Sequence, residues 1–231
     1  MLLARCALVG ATVAREGVEF GVVDRVPAVG GQLLTLQGLS GTYGDVFVPL
    51  HGPHQAQNAA VALACVEAFF GAGGLDADSV RAGFASASSP GRLEVVRSSP
   101  TVIVDAAHNP HGMAATVAAL SDGFAFTHLV AVVACLADKD VRTMLELLDP
   151  AVTSVVVTTN SSPRAMSADD LARLAIEVFG DDRVHVEDRL DDALDRAVAL
   201  ADEESEYGGT GVLVTGSVVT AGEARTLLRV R

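Results

Sequence analysis

The 231-residue sequence predicts an α/β protein with a small region of antiparallel strands and helices, followed by a larger, mostly parallel, doubly wound sheet. Two observations carry this prediction. From residue 92 onward, short apolar runs alternate with segments of helical periodicity, which is typical of a parallel sheet covered by helices. Before residue 89, three strand-like segments follow one another with glycine-rich turns between them, which favours an antiparallel meander.

The first region contains the fewer elements. After a short helix at the start, its predicted strands are Val18–Val26, Gln32–Leu39 and Asp45–Leu50, and its predicted helices are Gln55–Phe70 and Asp76–Ala87. The segment Ala85–Gly91 is small, polar and turn-prone, as expected of a linker. We therefore predict two domains, at residues 1–89 and 90–231.

The second region is regular. Its predicted strands are Leu93–Arg97, Thr101–Asp105, Leu129–Ala134, Ser154–Thr158, Arg183–Glu187 and Gly211–Thr215. Its predicted helices are Pro110–Ser121, Lys139–Leu148, Ser167–Phe179, Leu190–Glu204 and Val219–Leu228. Strands that alternate with helices in this way indicate a parallel sheet with helices on both faces.

Composition excludes several classes of function. The net charge is −13, from 29 acidic residues against 16 lysines and arginines, so we expect no nucleic-acid partner. No segment approaches the roughly 20 apolar residues of a membrane helix, so we expect no membrane partner. The three cysteines are far apart and give neither a disulfide framework nor a metal-binding spacing. We therefore expect a reducing, cytoplasmic location.

The most informative motif is Val102–Pro110, in which an apolar strand ends in Asp105, His108 and Asn109. Ligands bind α/β sheets outside the carboxyl ends of the strands. A carboxylate near an imidazole can orient the ring, hold a metal or accept a proton. We predict that Asp105 and His108 are catalytic. The alternative is that Asp105 caps the next helix and His108 is an ordinary loop histidine.

Two further motifs precede this one. His54 and Asn58 are four residues apart, so they share one face of a helix, and an asparagine side chain can both donate to and accept from an adenine edge. The alternative is a helix cap followed by a surface polar residue. Arg92 follows Pro90 and Gly91 in a turn, where a guanidinium suits a phosphate. Alternatively, Arg92 is a solvated surface arginine.

Three residues near other strand ends are candidate substrate contacts. Lys139, the only lysine in the sequence, could reach a phosphate or a carboxylate, although the acids beside it could equally cap a helix. Ser217 follows the last strand and could meet an anion at a helix N-terminus or simply cap that helix. Arg164 follows another strand and is a candidate anion contact.

Taken together, these motifs resemble those of the folylpolyglutamate synthases and dihydrofolate synthases of the muramyl-ligase superfamily. The segments that carry the resemblance occur in the same order as in that family: Gly52–Asn58, Ser89–Arg92, Asp105–Pro110, Asp138–Asp140 and Thr215–Ser217. The resemblance covers essentially the whole chain. It implies the end of a central ATPase domain at residues 1–89 and a Rossmann-like C-terminal domain at residues 90–231.

The resemblance also implies a reaction. Such enzymes use ATP and Mg²⁺ to phosphorylate a pterin-linked carboxylate of folate or dihydropteroate, and the amino group of L-glutamate attacks the acyl phosphate. By the resemblance, Asn58 contacts adenine and Arg92 contacts the phosphates. The same motifs place His54 and Gln55 at the nucleotide, and Asp105 and His108 at the reaction centre.

The sequence departs from that family in one respect. It contains no Gly-x-x-x-x-Gly-Lys-Ser/Thr phosphate loop, and the resemblance places the family's metal ligands outside this chain. We therefore expect the chain to correspond to the C-terminal part of such a ligase, to be inactive alone, and to have a separate N-terminal half as a possible partner. Two alternatives are a non-catalytic module that docks nucleotide or glutamate, and another amino-acid ligase of the superfamily.

Overall fold

The computed structural model describes residues 1–71, 73–203 and 209–228. The chain divides into two compact units, Met1–Ser88 and Ser89–Arg231. None of the helices in the described ranges is long and apolar enough to cross a membrane.

The first unit combines an antiparallel sheet with helices. Its elements are α1 (Leu2–Val9), β1 (Gly21–Ala28), β2 (Gly31–Gln37), β3 (Thr42–Val48), α2 (Pro53–Phe70) and α3 (Ala77–Ala85). The strands lie in the order β1-β2-β3, and both pairs are antiparallel. The predicted meander is therefore confirmed, although β1 begins at Gly21 rather than at Val18. Leu34, Leu36 and Val46 pack with Ala60 and Leu63 of α2 in one core.

The second unit is a six-stranded sheet covered on both faces. Its strands are β4 (Glu94–Ser98), β5 (Thr101–Val104), β6 (His128–Val133), β7 (Ser154–Val157), β8 (Val184–Val186) and β9 (Thr210–Thr215). Its α-helices are α4 (Pro110–Gly123), α5 (Val141–Leu148), α6 (Ala168–Phe179), α7 (Leu190–Glu203) and α8 (Val218–Leu227). Short 3₁₀ turns cover Asp149–Ala151 and Asp181–Arg183. The strand order is β4-β5-β9-β6-β7-β8.

Strand direction and side-chain alternation explain this architecture. The pairs from β5 to β8 are parallel, and only the edge strand β4 is antiparallel, to β5. Ile103 and Leu213 pack on one face with residues of α4, α5 and α6. Val104 and Val214 pack on the other face with residues of α7 and α8. The predicted mostly parallel, doubly wound sheet is confirmed.

Some predicted boundaries were wrong, for local reasons. The helix predicted from Lys139 begins at Val141, because Asp140 is its N-cap and accepts a hydrogen bond from the Thr143 amide at 3.3 Å. The strand predicted as Arg183–Glu187 is shorter, because a 3₁₀ turn occupies Asp181–Arg183. The predicted last residue of α7, Glu204, lies outside the described residues.

Candidate functional site

The candidate site of the second unit lies at the carboxyl edge of its parallel strands. Asp105 follows β5, Cys135 follows β6 closely, Asn160 follows β7 and Ser217 follows β9. Because these four strands are parallel, their carboxyl ends meet at one edge, which is where open α/β sheets bind ligands. The sheet therefore brings to one edge several residues that are far apart in the sequence.

Asp105 is a buried carboxylate with three hydrogen-bond donors. Its Oδ1 accepts from the Ala107 amide at 2.9 Å and from the Thr116 hydroxyl at 2.7 Å, and its Oδ2 accepts from the Leu93 amide at 3.0 Å. Its residue is only 5% exposed. Carboxylates held by backbone amides in this way order a loop. Asp105 does not cap α4, since Asn109 does so through the Gly112 amide at 2.8 Å.

His108 is half-buried, and one of its ring nitrogens is already engaged. Its Nδ1 lies 3.0 Å from the Ala106 carbonyl oxygen. A carbonyl can only accept, so this contact requires a proton on Nδ1 and leaves Nε2 as the nitrogen for a ligand or a proton. The segment Asp105–Asn109 between β5 and α4, which we call the Asp105 loop, therefore presents one imidazole nitrogen in a defined tautomer.

Arg92 lies in a strained segment, Ser89–Glu94, which we call the arginine turn. Gly91 has φ of 69° and Leu93 has φ of 45°, and a left-handed backbone is unusual for a bulky residue such as leucine. The Gly91 carbonyl accepts from the Ala106 amide at 2.8 Å, so the turn is joined to the Asp105 loop. The Arg92 side chain is exposed, and no described residue makes a hydrogen bond or an ion pair with its guanidinium.

Lys139 and Arg164 are brought together by an acid between them. The Asp138 carboxylate lies 3.4 Å from the Lys139 ammonium and 3.4 Å from the Arg164 guanidinium. Their two loops are also joined by a backbone bond from Ala137 to the Arg164 carbonyl at 2.9 Å. Desolvation works to raise the pKa of Asp138, but Lys139 and Arg164 outweigh it and hold that pKa below its usual value. These three charges form what we call the cation pair with its acid.

Ser217 belongs to a buried polar network. Its hydroxyl accepts from the Val219 and Thr220 amides at 3.0 and 3.2 Å and caps α8. The Asn160 amide group donates to the Thr220 hydroxyl at 3.0 Å, and that hydroxyl donates to the Ala134 carbonyl at 2.9 Å. Our interpretation of the sequence missed Asn160 and Thr220. For Asn160 a signal exists, because it lies two residues after the predicted strand Ser154–Thr158.

The remaining predicted residues lie in the first unit, at the start of α2. Asn58 is exposed, and its side chain donates to the Gln55 side-chain oxygen at 3.1 Å. Gln55 is 8% exposed and His54 is half-buried. The Gln32 amide group donates to the carbonyls of Leu50 and Gly52 at 2.9 and 3.1 Å and so fixes the turn that leads into α2. The exposed Asn58 amide group therefore offers both a donor and an acceptor, which suits the edge of a planar ring such as adenine.

Comparison with known proteins identifies the family. The family model described as "Mur ligase, glutamate ligase domain" matches residues 91–218, which is more than half of the chain. The chain belongs to this Mur ligase family.

Individual members of the Mur ligase family are also similar to the chain. The dihydrofolate synthase/folylpolyglutamate synthase of Mycobacterium tuberculosis is 53% identical over 238 residues, an alignment that covers 98% of this chain and 49% of that protein. The folylpolyglutamate synthase of Lacticaseibacillus casei is 31% identical over 232 residues and covers 96% and 51%. The resemblance found in the motifs is thereby confirmed.

Solved structures of the family agree. The crystallised Mycobacterium tuberculosis folylpolyglutamate synthase complexed with ADP is 55% identical, with a TM-score of 0.95 over 98% of this chain and 51% of that chain. Escherichia coli FolC in complex with DHPP and ADP is 27% identical, with a TM-score of 0.80 over 99% and 50%. The chain thus spans about half the length of the relatives that it matches.

Proposed function

We propose that this chain is part of an ATP-dependent ligase that adds L-glutamate to folate or dihydropteroate through an acyl-phosphate intermediate. The observation that carries the proposal is Arg92, an exposed guanidinium without a partner among the described residues, on a strained turn held by a buried acid. A cation fixed in this way is suited to phosphate oxygens. The similarity to a folylpolyglutamate synthase complexed with ADP supports the same ligand.

Each candidate residue would have its own role toward the nucleotide. Arg92 would balance the negative charge of the phosphates, as phosphoryl transfer depends mainly on positioning and charge. Asn58 would contact the adenine edge, and His54 and Gln55 would support it at the start of α2. Asp105 would position the arginine turn, and His108 would offer Nε2 to the reacting groups.

The glutamate would be held by the cation pair with its acid. Glutamate carries two carboxylates, and Lys139 and Arg164 offer two cations that the Asp138 carboxylate keeps together. An incoming carboxylate would replace part of the interaction with Asp138, and a guanidinium can bind a carboxylate through two parallel hydrogen bonds. Ser217, which caps α8, would mark a helix N-terminus that suits an anionic group of the substrate.

The described residues include candidate contacts for ATP but no cluster of three metal-binding side chains. ATP supplies the phosphoryl group, and Arg92 and Asn58 fit its phosphates and its base. For Mg²⁺, the described ranges contain no cluster of three His, Cys, Asp or Glu side chains that could hold a metal ion. Mg²⁺ is usually held by one or two carboxylates together with phosphate oxygens, and we propose that the polypeptide equivalent to the other half of the relatives supplies its protein ligands.

We further propose that catalysis needs a polypeptide equivalent to the other half of the relatives, which this chain does not match. The first unit has an apolar cavity of about 650 Å³, lined in part by Val66, Phe70, Leu75 and Phe84. Phe70 is 73% exposed. An exposed aromatic side chain at an apolar cavity suits contact with the apolar surface of a partner. We propose that an ATPase half with the phosphate loop covers it, and that the chain alone is inactive.

A reducing, cytoplasmic location is proposed from the cysteines. Cys6, Cys65 and Cys135 are all free thiols. Burial raises the pKa of the Cys135 thiol to about 12, so this thiol stays protonated at neutral pH and is not a nucleophile. Thiols that are not paired in disulfides are typical of a reducing compartment.

The test is nucleotide binding followed by turnover. ADP binding to the purified chain is measured by calorimetry for the natural protein, Arg92→Ala and Asn58→Ala. Loss of one charge-assisted contact, about 1.5–3 kcal/mol, predicts a loss of affinity of roughly 10- to 100-fold for Arg92→Ala. Arg97→Ala is the matched control, because Arg97 is an exposed arginine of β4 whose side chain donates to the Ser99 carbonyl.

Two results would contradict the proposal. If Arg92→Ala and Arg97→Ala bind ADP as well as the natural chain, Arg92 is not a phosphate contact. If the pure chain releases ADP in a manner that depends on both folate and glutamate, our proposal of inactivity is wrong. Turnover that arises only after addition of a phosphate-loop half supports the ligase, whereas ADP binding without turnover in that mixture favours a docking module.

A further inference from the structure

The backbone of the arginine turn is held at two amides by two different carboxylates. The Leu93 amide donates to Asp105, and the Gly91 amide donates to Glu94 Oε2 at 2.7 Å. These amides belong to the two residues with positive φ, on either side of Arg92. Strained backbone persists only where surrounding contacts determine it, and it clusters at functional sites.

Glu94 also accepts a hydrogen bond from α8. The Arg225 guanidinium donates through Nε to the same Glu94 Oε2, at 2.8 Å. The Glu94 and Arg225 side chains are 22% and 25% exposed, so solvent screens this pair less than the exposed pairs of the protein. Arg225 therefore keeps the Glu94 carboxylate turned toward Gly91.

The helix that carries Arg225 is fixed at its other end. The Ser217 hydroxyl caps α8, and Thr220 of the same helix donates to the Ala134 carbonyl at 2.9 Å. Glu223 of α8 also accepts from the Ser161 amide at 3.1 Å. The chain of contacts from α8 through Glu94 to Gly91 thus begins on a helix that is itself hydrogen-bonded to its surroundings at several residues.

We propose that Glu94 and Arg225 are positioning residues, which set the arginine turn so that the unpaired Arg92 guanidinium meets the phosphates of the nucleotide. This inference rests on the proposed function, in which Arg92 contacts phosphate. Arg225 donates a hydrogen bond through Nε to Glu94, whereas the Arg92 guanidinium has no partner among the described residues. Arg225 therefore orders the turn, and Arg92 remains available to the ligand.

Variants of Arg225 or Glu94 should therefore weaken ADP binding although neither residue contacts ADP in this proposal. Arg225→Met removes the partner of Glu94 and frees the carboxylate to turn toward solvent, and the Gly91 amide then loses its acceptor. We expect ADP to bind about 5- to 10-fold more weakly. Arg225→Lys keeps a cation and restores most of the affinity. Glu94→Gln has the smaller effect, because one amide oxygen can still accept from both donors, whereas Glu94→Ala removes both bonds.

The experiment measures three quantities on the full chain for each variant. ADP affinity comes from calorimetry, overall stability comes from the thermal midpoint, and order in the turn comes from amide hydrogen exchange at Gly91 by NMR. Asp149→Asn is the matched control. Asp149 pairs with Arg183 at 2.8 Å, with exposures of 37% and 30%, near the amino-terminal ends of β7 and β8. We expect this control to change the thermal midpoint but neither ADP affinity nor Gly91 exchange.

The outcomes separate the two ideas. Faster Gly91 exchange and weaker ADP binding in Arg225→Met, both restored by lysine and absent from the control, support the positioning role. If Arg92→Ala weakens ADP binding but Arg225→Met and Glu94→Ala do not, the positioning role is overturned and the proposed function stands. If Arg92→Ala itself has no effect, the phosphate assignment fails and the positioning proposal fails with it.

Discussion

Replacing Asp105 by asparagine tests how the arginine turn is stabilised. In Asp105→Asn, the amide oxygen can take the place of Oδ1 and keep the bonds from Ala107 and Thr116. The amide NH₂ group then takes the place of Oδ2 and faces the Leu93 amide, so that a donor meets a donor. One bond to a charged acceptor is lost and a buried N–H is left without a partner, which costs about 1.5–3 kcal/mol.

The expected result is a selective loss of stability in the second unit. A loss of about 1.5–3 kcal/mol corresponds to a fall of roughly 3–12 °C in the thermal midpoint for a domain of this size. Because the chain lacks tryptophan, unfolding is followed by circular dichroism, with hydrogen exchange and mass spectrometry to assign the loss. We expect faster exchange than in the natural chain in peptides that cover Ser89–Asp105. Exchange in peptides from the first unit should be unchanged.

The matched comparison is Thr116→Val, which removes the hydroxyl that donates to Asp105 Oδ1 and nearly keeps the side-chain volume. Thr116 also donates to the Gly112 carbonyl at 3.0 Å, and we expect this variant to cost about 1 kcal/mol. If Asp105→Asn costs less than about 0.5 kcal/mol, or if Thr116→Val costs more than Asp105→Asn, then the bond to Leu93 does not hold the turn and our reasoning is refuted.

Three further predictions concern single side chains. Gly216→Ala should lower the free energy of unfolding by at least ~2 kcal/mol in urea titrations, because φ is 107° and a Cβ would lie 2.7 Å from the Ala134 carbonyl oxygen. The control is Gly222→Ala on α8, where a Cβ would meet open space and the free energy of unfolding should not fall. Ser217→Ala should cost about 1 kcal/mol by loss of its cap and speed exchange in α8, and unchanged exchange there would contradict this. Glu67→Gln should cost about 2 kcal/mol and speed proteolysis at residues 38–41, since the buried Glu67 carboxylate accepts from the amides of that loop; equal proteolysis of both proteins would contradict it.

The regular elements were predictable because their signal is local. Apolar runs such as Thr101–Val104 and Ser154–Val157 are buried on both faces of a parallel sheet, and such strands read as continuous hydrophobic segments. The helix caps were less predictable. Asp105 and Asn109 both precede α4, and only the structure shows that Asn109 caps the helix while Asp105 binds elsewhere.

The contacts of the candidate site were predictable only in part. The sheet topology explains why Lys139 and Arg164 lie close together, since both follow neighbouring parallel strands. That Asp138 joins them has no sequence signature. The bond from Leu93 to Asp105 was also invisible, because it uses a backbone amide, which every residue except proline possesses.

The contacts of α8 link several of these distant motifs to one helix. This helix bonds to the end of β6 through Thr220, to the loop after β7 through Glu223, and to the arginine turn through Arg225. The loop after β7 carries Arg164, and the arginine turn carries Arg92. Because α8 bonds to both segments, we expect a displacement of α8 to move both cations. Within the proposed ligase, a variant that loosens α8 should weaken the binding of nucleotide and of glutamate together, whereas Arg92→Ala should weaken nucleotide binding alone.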